Sequence, residues 1–384
     1  MKVSFFHDCR IKTVNNRYYV SGGLNDERLK FYTDIFGTMK VIARQERVNN
    51  AKGLMEVKSS LIKFSLIENI NYIKLYLNNR KDIEKEVMNS DLCVIRLPST
   101  IGNIAYKYAK KHNKIILIEL VGCVWSALWN HSIKGKIVAP FYWLLTSKYV
   151  KNAQYVTYVT KKFLQKRYPT KGKSIDCSDV ELDENSEEVI SKRVKKINNL
   201  DIERDKIKIG LVGSLNVNYK GHDSAIKAIK ILKRKFKNIE LHFVGNGNQE
   251  KWRKVAKENN VDKEIIFDGT IPHENIKKWF DDIDIYVIPS LTEGMPRALI
   301  EAMSRGCPCI GTKVGGIPEL LNEHVLIKKK QYKQLAIKIE ELILNKEKML
   351  YQSNKNFVLS NQYQKQILDK KRKEFYKSIY SKEI

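Results

Sequence analysis

Acidic residues are scarce in this sequence of 384 residues: 43 Asp or Glu stand against 70 Lys or Arg, a formal net charge of +27. So large an imbalance asks for an anionic counterpart, and nucleic acid, an anionic membrane face or a phosphorylated substrate would each supply one. Helix-turn-helix, zinc-finger and aromatic RNA-binding signatures are absent, so no nucleic-acid partner is expected. Cysteine is sparse, and Cys9, Cys93, Cys123, Cys177, Cys307 and Cys309 are scattered mostly beside apolar runs, which suits a reducing cytoplasm. Cys307 and Cys309 form the one close pair; a zinc site would need about two further ligands nearby, so the pair reads as structural. No run approaches the roughly 20 apolar residues of a membrane-spanning helix. The opening MKVSFFHDCR lacks the apolar core and cleavage site of a secretory signal and reads as a first strand.

Apolar residues nevertheless make up 43% of the chain, enough for a packed core in two α/β domains of ordinary size. From residue 207 strand-like and helix-like segments alternate. IKIGLV (207–212), IELHFV (239–244), EIIFDG (264–269), IDIYVIPS (283–290) and CPCIGT (307–312) read as strands. Helices are expected over 224–236, 248–259, 273–282, 296–305 and 331–345. This alternation predicts parallel βαβ units in a doubly wound sheet. The first half repeats the plan through KVSFF (2–6), KVIAR (40–44), DLCVIRL (91–97), KIILIEL (114–120) and QYVTYVT (154–160). The expected division is an N-terminal domain over 1–178, a polar connection over 179–206, a C-terminal domain over 207–350, and a helical tail over 351–384 packing back on the first domain.

In open α/β sheets ligands bind beyond the carboxyl ends of the strands, and that is where the unusual loops fall. GSLNVNYKG (213–221) sets Gly213 at a tight turn and Lys220 just before a helix, where a phosphate would meet backbone N–H groups and a point charge. By itself such a loop is as consistent with a solvated turn, as is VGNGNQ (244–249). PSLTEGMPRALIEAMSRGCP (289–308) puts Glu293 in a Gly-Pro loop and Glu301 inside the following helix, which Pro296 would open at its first position. Glu301 lies in apolar ALIEAM, so its carboxylate needs hydroxyl or N–H partners.

Residues 207–321 resemble the C-terminal domain of the family-four retaining glycosyltransferases. The resemblance rests on GSLNVNYKG and on GTIPHENIKKWFDDIDIYVIPSLTEGMPRALIEAMSRGCPCIGTKVGGIPELL, in that order. It implies the GT-B fold, two Rossmann-like doubly wound parallel-sheet domains facing across a cleft. Glu293 and Glu301 match the family's E-x7-E pair, of which the first binds hydroxyls of the donor sugar and the second the nucleotide ribose. Carboxylates suit diols because each oxygen can accept a hydroxyl proton. The resemblance further implies that Gly213, Gly294, Met295 and the neighbours of Pro296 line the sugar and phosphates, and that Lys220 neutralises the leaving diphosphate. Many members carry an Arg directly after the first-loop glycine; here that position is Ser214, with Arg297 and Arg305 as candidates to compensate or as surface cations.

The N-terminal half matches more loosely, through Gly22-Gly23 and YVTYVTKKFLQKRYP (155–169). Gly22 and Gly23 read either as the glycine loop near the donor phosphate or as a helix-start turn. Glu119, the lone carboxylate between Asp91 and Asp176, ends a strand. It reads as the catalytic acid or base of that domain, with Glu293 its partner in catalysis, or else as the counter-ion of a nearby cation. Residues 124–151 place Trp125, Trp129 and Trp143 among Lys134 and Lys136, which reads as contact with an anionic membrane or as a helix packed in the domain.

The expectation is a cytoplasmic enzyme, peripheral on the inner face of the membrane. It would move a sugar from a nucleotide-sugar donor, expected to be UDP-linked, to a lipid-linked or glycan acceptor in capsule, exopolysaccharide or lipopolysaccharide biosynthesis. Neither cofactor nor metal is expected, because no Asp-x-Asp pair follows the strand ending near Ile288. A sugar-nucleotide epimerase or hydrolase on the same fold is the alternative, and a basic nucleic-acid-binding protein, suggested by the charge alone, is the rival from another class.

Overall fold

The computed structural model describes residues 1–20, 26–51, 54–68, 72–130 and 132–380. They form two compact units, one made of the chain up to Asp179 together with the segment from Asp369, the other of Val180–Leu368.

The first unit contains β1 (Val3–Val14), β2 (Arg17–Val20), α1 (Asp26–Phe36), β3 (Met39–Arg47), β4 (Met55–Glu56), β5 (Ile62–Glu68), α2 (Tyr72–Met88) and β6 (Leu92–Leu97). There follow α3 (Thr100–Lys111), β7 (Ile115–Leu120), α4 (Val124–Trp129), α5 (Ile133–Asn152), β8 (Tyr155–Tyr158), α6 (Phe163–Arg167) and β9 (Lys173–Asp176). Strands β5-β3-β1-β6-β7-β8-β9 pair in parallel in that order, while β2 adds antiparallel to the far end of β1 and β4 antiparallel to β2. Central strands β6 and β7, covered on both faces, are almost wholly apolar, as buried parallel strands must be. Their exceptions, Arg96 and Glu119, stand opposite each other in register. Where β1 shifts register between Phe6 and Arg10, Asp8 accepts from the N–H groups of Thr100 and Ile101 and, with Ser99, closes the N-terminus of α3.

The second unit contains α7 (Glu187–Asn199), β10 (Ile207–Val212), α8 (His222–Leu232), β11 (Ile239–Val244), α9 (Glu250–Glu258), β12 (Ile265–Gly269), α10 (His273–Asp282) and β13 (Ile285–Ile288). It continues through α11 (Arg297–Ser304), β14 (Cys309–Thr312), α12 (Ile317–Leu320), β15 (Leu326–Ile327), α13 (Tyr332–Ile343) and α14 (Lys346–Ser360). Its strands pair in parallel in the order β12-β11-β10-β13-β14-β15. The direction of winding reverses between β10 and β13, and a crevice at such a reversal is where doubly wound sheets hold nucleotides. The last helix, α15 (Lys365–Tyr380), carries the chain back to the first unit. There Phe375, Tyr376 and Ile379 enter the core beside Leu29, Tyr32 and Phe36.

Two boundaries differ from the sequence reading. The stretch 179–206 is no bare connection, because Val180 onward belongs to the second unit. Buried Arg193 of α7 donates to the carbonyls of Phe280, Ile283 and Arg305, ending free helix and loop carbonyls that would otherwise lack donors. Of the stretch 351–384, α14 stays with the second unit, and the segment from Asp369 joins the first. Strands β2, β4, β5, β9 and β15 were not anticipated. They lie toward the sheet margins, where one covered edge suffices and polar residues are tolerated. Among the described residues no helix is long and apolar enough to cross a membrane.

Candidate active site

At the winding reversal of the second unit, the loops leaving β10, β11, β13 and β14 are knitted together by backbone approaches that need glycine. A Cβ on Gly213 would stand 2.9 Å from Lys220 Cγ, so the lysine stem lies flat across the turn. Gly221 has a left-handed backbone, φ +84, and its Cβ would fall 2.2 Å from the Pro289 carbonyl oxygen at the end of β13. Leu291 N–H donates to the Tyr219 carbonyl at 2.7 Å, tying the two loops again. Ser214 Oγ donates to the Asn246 carbonyl at 3.3 Å, so this position links the β10 and β11 loops and brings no charge.

Lys220 and Glu293 meet here. Glu293 Oε1 accepts from Lys220 Nζ at 2.8 Å and from Ser290 Oγ at 2.7 Å. Among the described residues no donor meets Glu293 Oε2, which leaves that oxygen for a hydroxyl. The loop around it is pinned from below: Gly316 N–H donates to the Gly294 carbonyl at 2.8 Å, and a Cβ on Gly315 would stand 2.1 Å from the Glu293 carbonyl oxygen. Thr312 Oγ1 donates to the Ser290 carbonyl at 2.5 Å, extending this support to β14. The sequence reading quoted these glycines without giving them that role.

Met295 and Pro296 are buried at the mouth of α11. Pro296 is the cap and not the first helical residue, and no side chain caps the helix there, the kind of N-terminus that suits an anion. The same holds for α8, capped by Gly221. Glu301 lies on the second turn of α11, partly buried in its apolar run. Burial, then Glu293, Cys309 and Glu301, keep the hydroxyl of Tyr286 on β13 protonated well beyond its usual range. Arg305 does not stand in for an arginine at position 214, because its guanidinium grips Asp281 with two bonds of 2.8 Å. Arg297 occupies the first turn of α11, half-buried.

His222, which the sequence reading passed over, is wholly buried next to Lys220, with its ring between Phe243 and Trp252 at 4.9 and 4.8 Å. Trp252 in turn donates its indole N–H to the Leu215 carbonyl at 2.8 Å and holds the first loop. Burial, with Lys220 adding repulsion, lowers the His222 pKa to about 4. The neutral ring is thus matched to the folded state, whereas the unfolded chain takes up a proton below about 6.5. Stability from His222 is therefore complete above that pH and falls as pH drops toward 4, by about 3 kcal/mol. Denaturation midpoints measured across this range should decline less in His222→Phe than in the parent, and equal slopes would refute the assignment.

In the first unit Glu119 is 2% exposed and fully engaged. Tyr32 and Tyr376 donate hydroxyls to Oε1, and Arg96 reaches Oε2 at 3.0 Å while also holding Asp179 at 2.7 Å. Burial alone would raise the carboxyl, but Arg96, then Arg28 and the two tyrosines outweigh it and hold the pKa at about 2. This geometry favours the counter-ion reading of Glu119 over that of acid or base, the buried carboxylate being held by three donors. Gly22 and Gly23 lie outside the described residues.

Trp125 and Trp143 are half-buried, not displayed: Trp125 stacks on Trp129 at 5.2 Å and meets Trp143 edge-on at 6.3 Å. Trp129 is exposed, with Lys136 5.9 Å over its ring, and Lys134 is exposed on α5.

The sequence family described as Glycosyl transferases group 1 matches residues 192–357. Protein CapJ of Staphylococcus aureus is 37% identical over 355 residues, covering 90% of this chain and 88% of the relative. The amylovoran biosynthesis glycosyltransferase AmsK of Erwinia amylovora is 37% identical over 113 residues, 28% of each chain. Anabaena Alr3699/HepE, solved in complex with UDP, superposes with a TM-score of 0.69 at 13% identity, covering 98% of this chain and 100% of that one. Two Rossmann-like sheets, the 213–221 and 289–301 loops at the winding reversal, and a relationship running nearly the full length lead to one conclusion: the chain belongs to the glycosyl transferases group 1 family and is a glycosyltransferase of GT-B fold.

Proposed function

We propose that this enzyme moves a sugar from a UDP-linked donor to a lipid-linked or glycan acceptor during assembly of a surface polysaccharide, with retention of anomeric configuration. The observation that carries the donor half is the Lys220–Glu293 pair lying between two helix N-termini that no side chain caps. The donor's diphosphate would lie against those N–H groups and the Lys220 ammonium, which stabilise the charge that develops as the glycosidic bond breaks. Glu293 Oε2 would accept a sugar hydroxyl, and Glu301 the ribose diol. UDP held by the structural neighbour HepE supports the nucleotide, and the amylovoran-building relative supports a polymer-building role.

Charge stabilisation by lysine and N–H groups assigns no role to a divalent ion. Donor turnover is expected to be unchanged in EDTA, and loss restored by added Mg²⁺ or Mn²⁺ would overturn that part. The wider reading is tested by a thermal-shift screen of nucleotides and nucleotide sugars: UDP and one UDP-sugar should raise the melting temperature, and the first-formed product should keep the donor's anomeric configuration by NMR. No shift with any nucleotide would reject the donor assignment, and an inverted product would reject retention.

A further inference from the structure

Residues 101–175 contain fourteen Lys or Arg and a single acid, and that acid, Glu119, is buried between strands. At neutral pH the Lys, Arg, Asp and Glu side chains this stretch shows to solvent are therefore all cationic. Within it, α5 displays Ile133, Ile137, Phe141 and Leu144, each between 60% and 79% exposed. They recur at i, i+4, i+8 and i+11, a single stripe roughly 16 Å long. Exposed Lys148 and Lys151 continue the same stripe toward the C-terminal end of the helix. The opposite face, with Gly135, Ala139, Thr146 and Val150, is buried in the unit. A row of large apolar side chains ending in lysines suits the boundary between hydrocarbon and anionic headgroups.

Beside this stripe lies a cavity of about 620 Å³ lined by Trp125, Trp143, Phe163, Lys166 and Arg167. The Arg167 guanidinium sits 5.9 Å over the Trp125 ring. The indole N–H of Trp143 and the Nε–H of Arg167 are buried and meet no acceptor among the described residues. Neither Lys166 nor Arg167 has a carboxylate partner among the described residues. Such a wall offers rings to a hydrocarbon chain and unpaired cationic donors to phosphate oxygens.

We propose that the Ile133–Leu144 stripe docks the enzyme on an anionic bilayer and that the Trp125–Trp143–Arg167 cavity receives the phosphate head of a lipid from it. This deepens the acceptor half of the function proposed above and is independent of donor binding. Both features point to a lipid surface over a second copy of the chain, because two like surfaces this basic would repel each other.

The test is co-sedimentation of the full chain with phosphatidylglycerol or phosphatidylcholine vesicles. The parent chain should bind the anionic vesicles at least about tenfold better, and less well as salt brings the Debye length below about 8 Å. Ile137→Asn with Phe141→Asn should lower binding to anionic vesicles about tenfold or more, the effect of withdrawing two apolar side chains from the interface. The UDP-induced thermal shift should persist in that variant, which separates failure here from failure of the donor assignment. Farnesyl phosphate should change tryptophan fluorescence in the parent but not in Lys166→Gln with Arg167→Gln, and inorganic phosphate at equal concentration should do so in neither. Equal binding to both vesicles, parent-like binding by the Ile137/Phe141 variant, or an equal response to inorganic phosphate would each overturn the proposal. So would a parent dimer that the Ile137/Phe141 variant dissociates and that ignores vesicles.

Discussion

Glu293→Ala is expected to fold, to bind nucleotide, and to turn over its sugar donor at least about a hundredfold more slowly than the parent, the usual scale for losing one preorganised electrostatic group. The side chain has two jobs in the geometry. Oε1 fixes Lys220 Nζ and Ser290 Oγ, and Oε2 is left for the sugar. Alanine removes both, and each charge-assisted bond is worth about 1.5–3 kcal/mol. Folding should survive, because the loop's backbone is held separately by Gly316 N–H on the Gly294 carbonyl and by Thr312 on the Ser290 carbonyl. Glu293→Gln keeps the shape and one acceptor, so it should fall between parent and alanine. The measurement is kcat/KM for nucleotide release from the donor that the thermal screen identifies, with circular dichroism to establish folding. Parent-like turnover in folded Glu293→Ala would remove the carboxylate from the chemistry.

Glu119→Ala should instead cost stability, about 3–5 kcal/mol, as expected when one member of a buried ion pair is removed. The loss strands the hydroxyls of Tyr32 and Tyr376 without their acceptor and leaves Arg96, itself buried, with Asp179 as its remaining carboxylate. Urea denaturation should show an earlier transition, while the UDP-induced thermal shift, which the proposed site places on the second unit, should remain. A Glu119→Ala protein that unfolds at the parent's midpoint yet has lost turnover would return Glu119 to the role of acid or base.

These two glutamates mark what local sequence can and cannot carry. Glu293 stood out because β13, α11 and the loop between them are contiguous, and the apolar run IYVI followed by Gly-Met-Pro states strand, turn and helix at once. Glu119 looked equally well placed at the end of its strand. Its decisive partner, Tyr376, lies 257 residues away on α15, a pairing no local pattern announces. Arg193 misled for a related reason. A basic, acid-rich stretch with few large apolar residues resembles a linker until its guanidinium is seen buried against three carbonyls. The tryptophans of α4 and α5 were noticed for their chemistry, yet the plainer Ile133, Ile137, Phe141 and Leu144 occupy the open face. Composition flagged the region, and helical phase decided which side chains it shows.

Because the segment from Asp369 completes the core of a unit whose strands begin at Val3, synthesis and assembly run on different clocks. A ribosome releases nearly all of the first unit early, but that unit still lacks Phe375, Tyr376 and Ile379, and Glu119 still lacks one of its two hydroxyls. The second unit, continuous from Val180 to Leu368, emerges later with every residue it needs. Domains generally mature in order of emergence. Here the half that leaves the tunnel first must remain open-cored until the other half has been made, so the nascent chain carries an unfinished apolar surface through most of its translation.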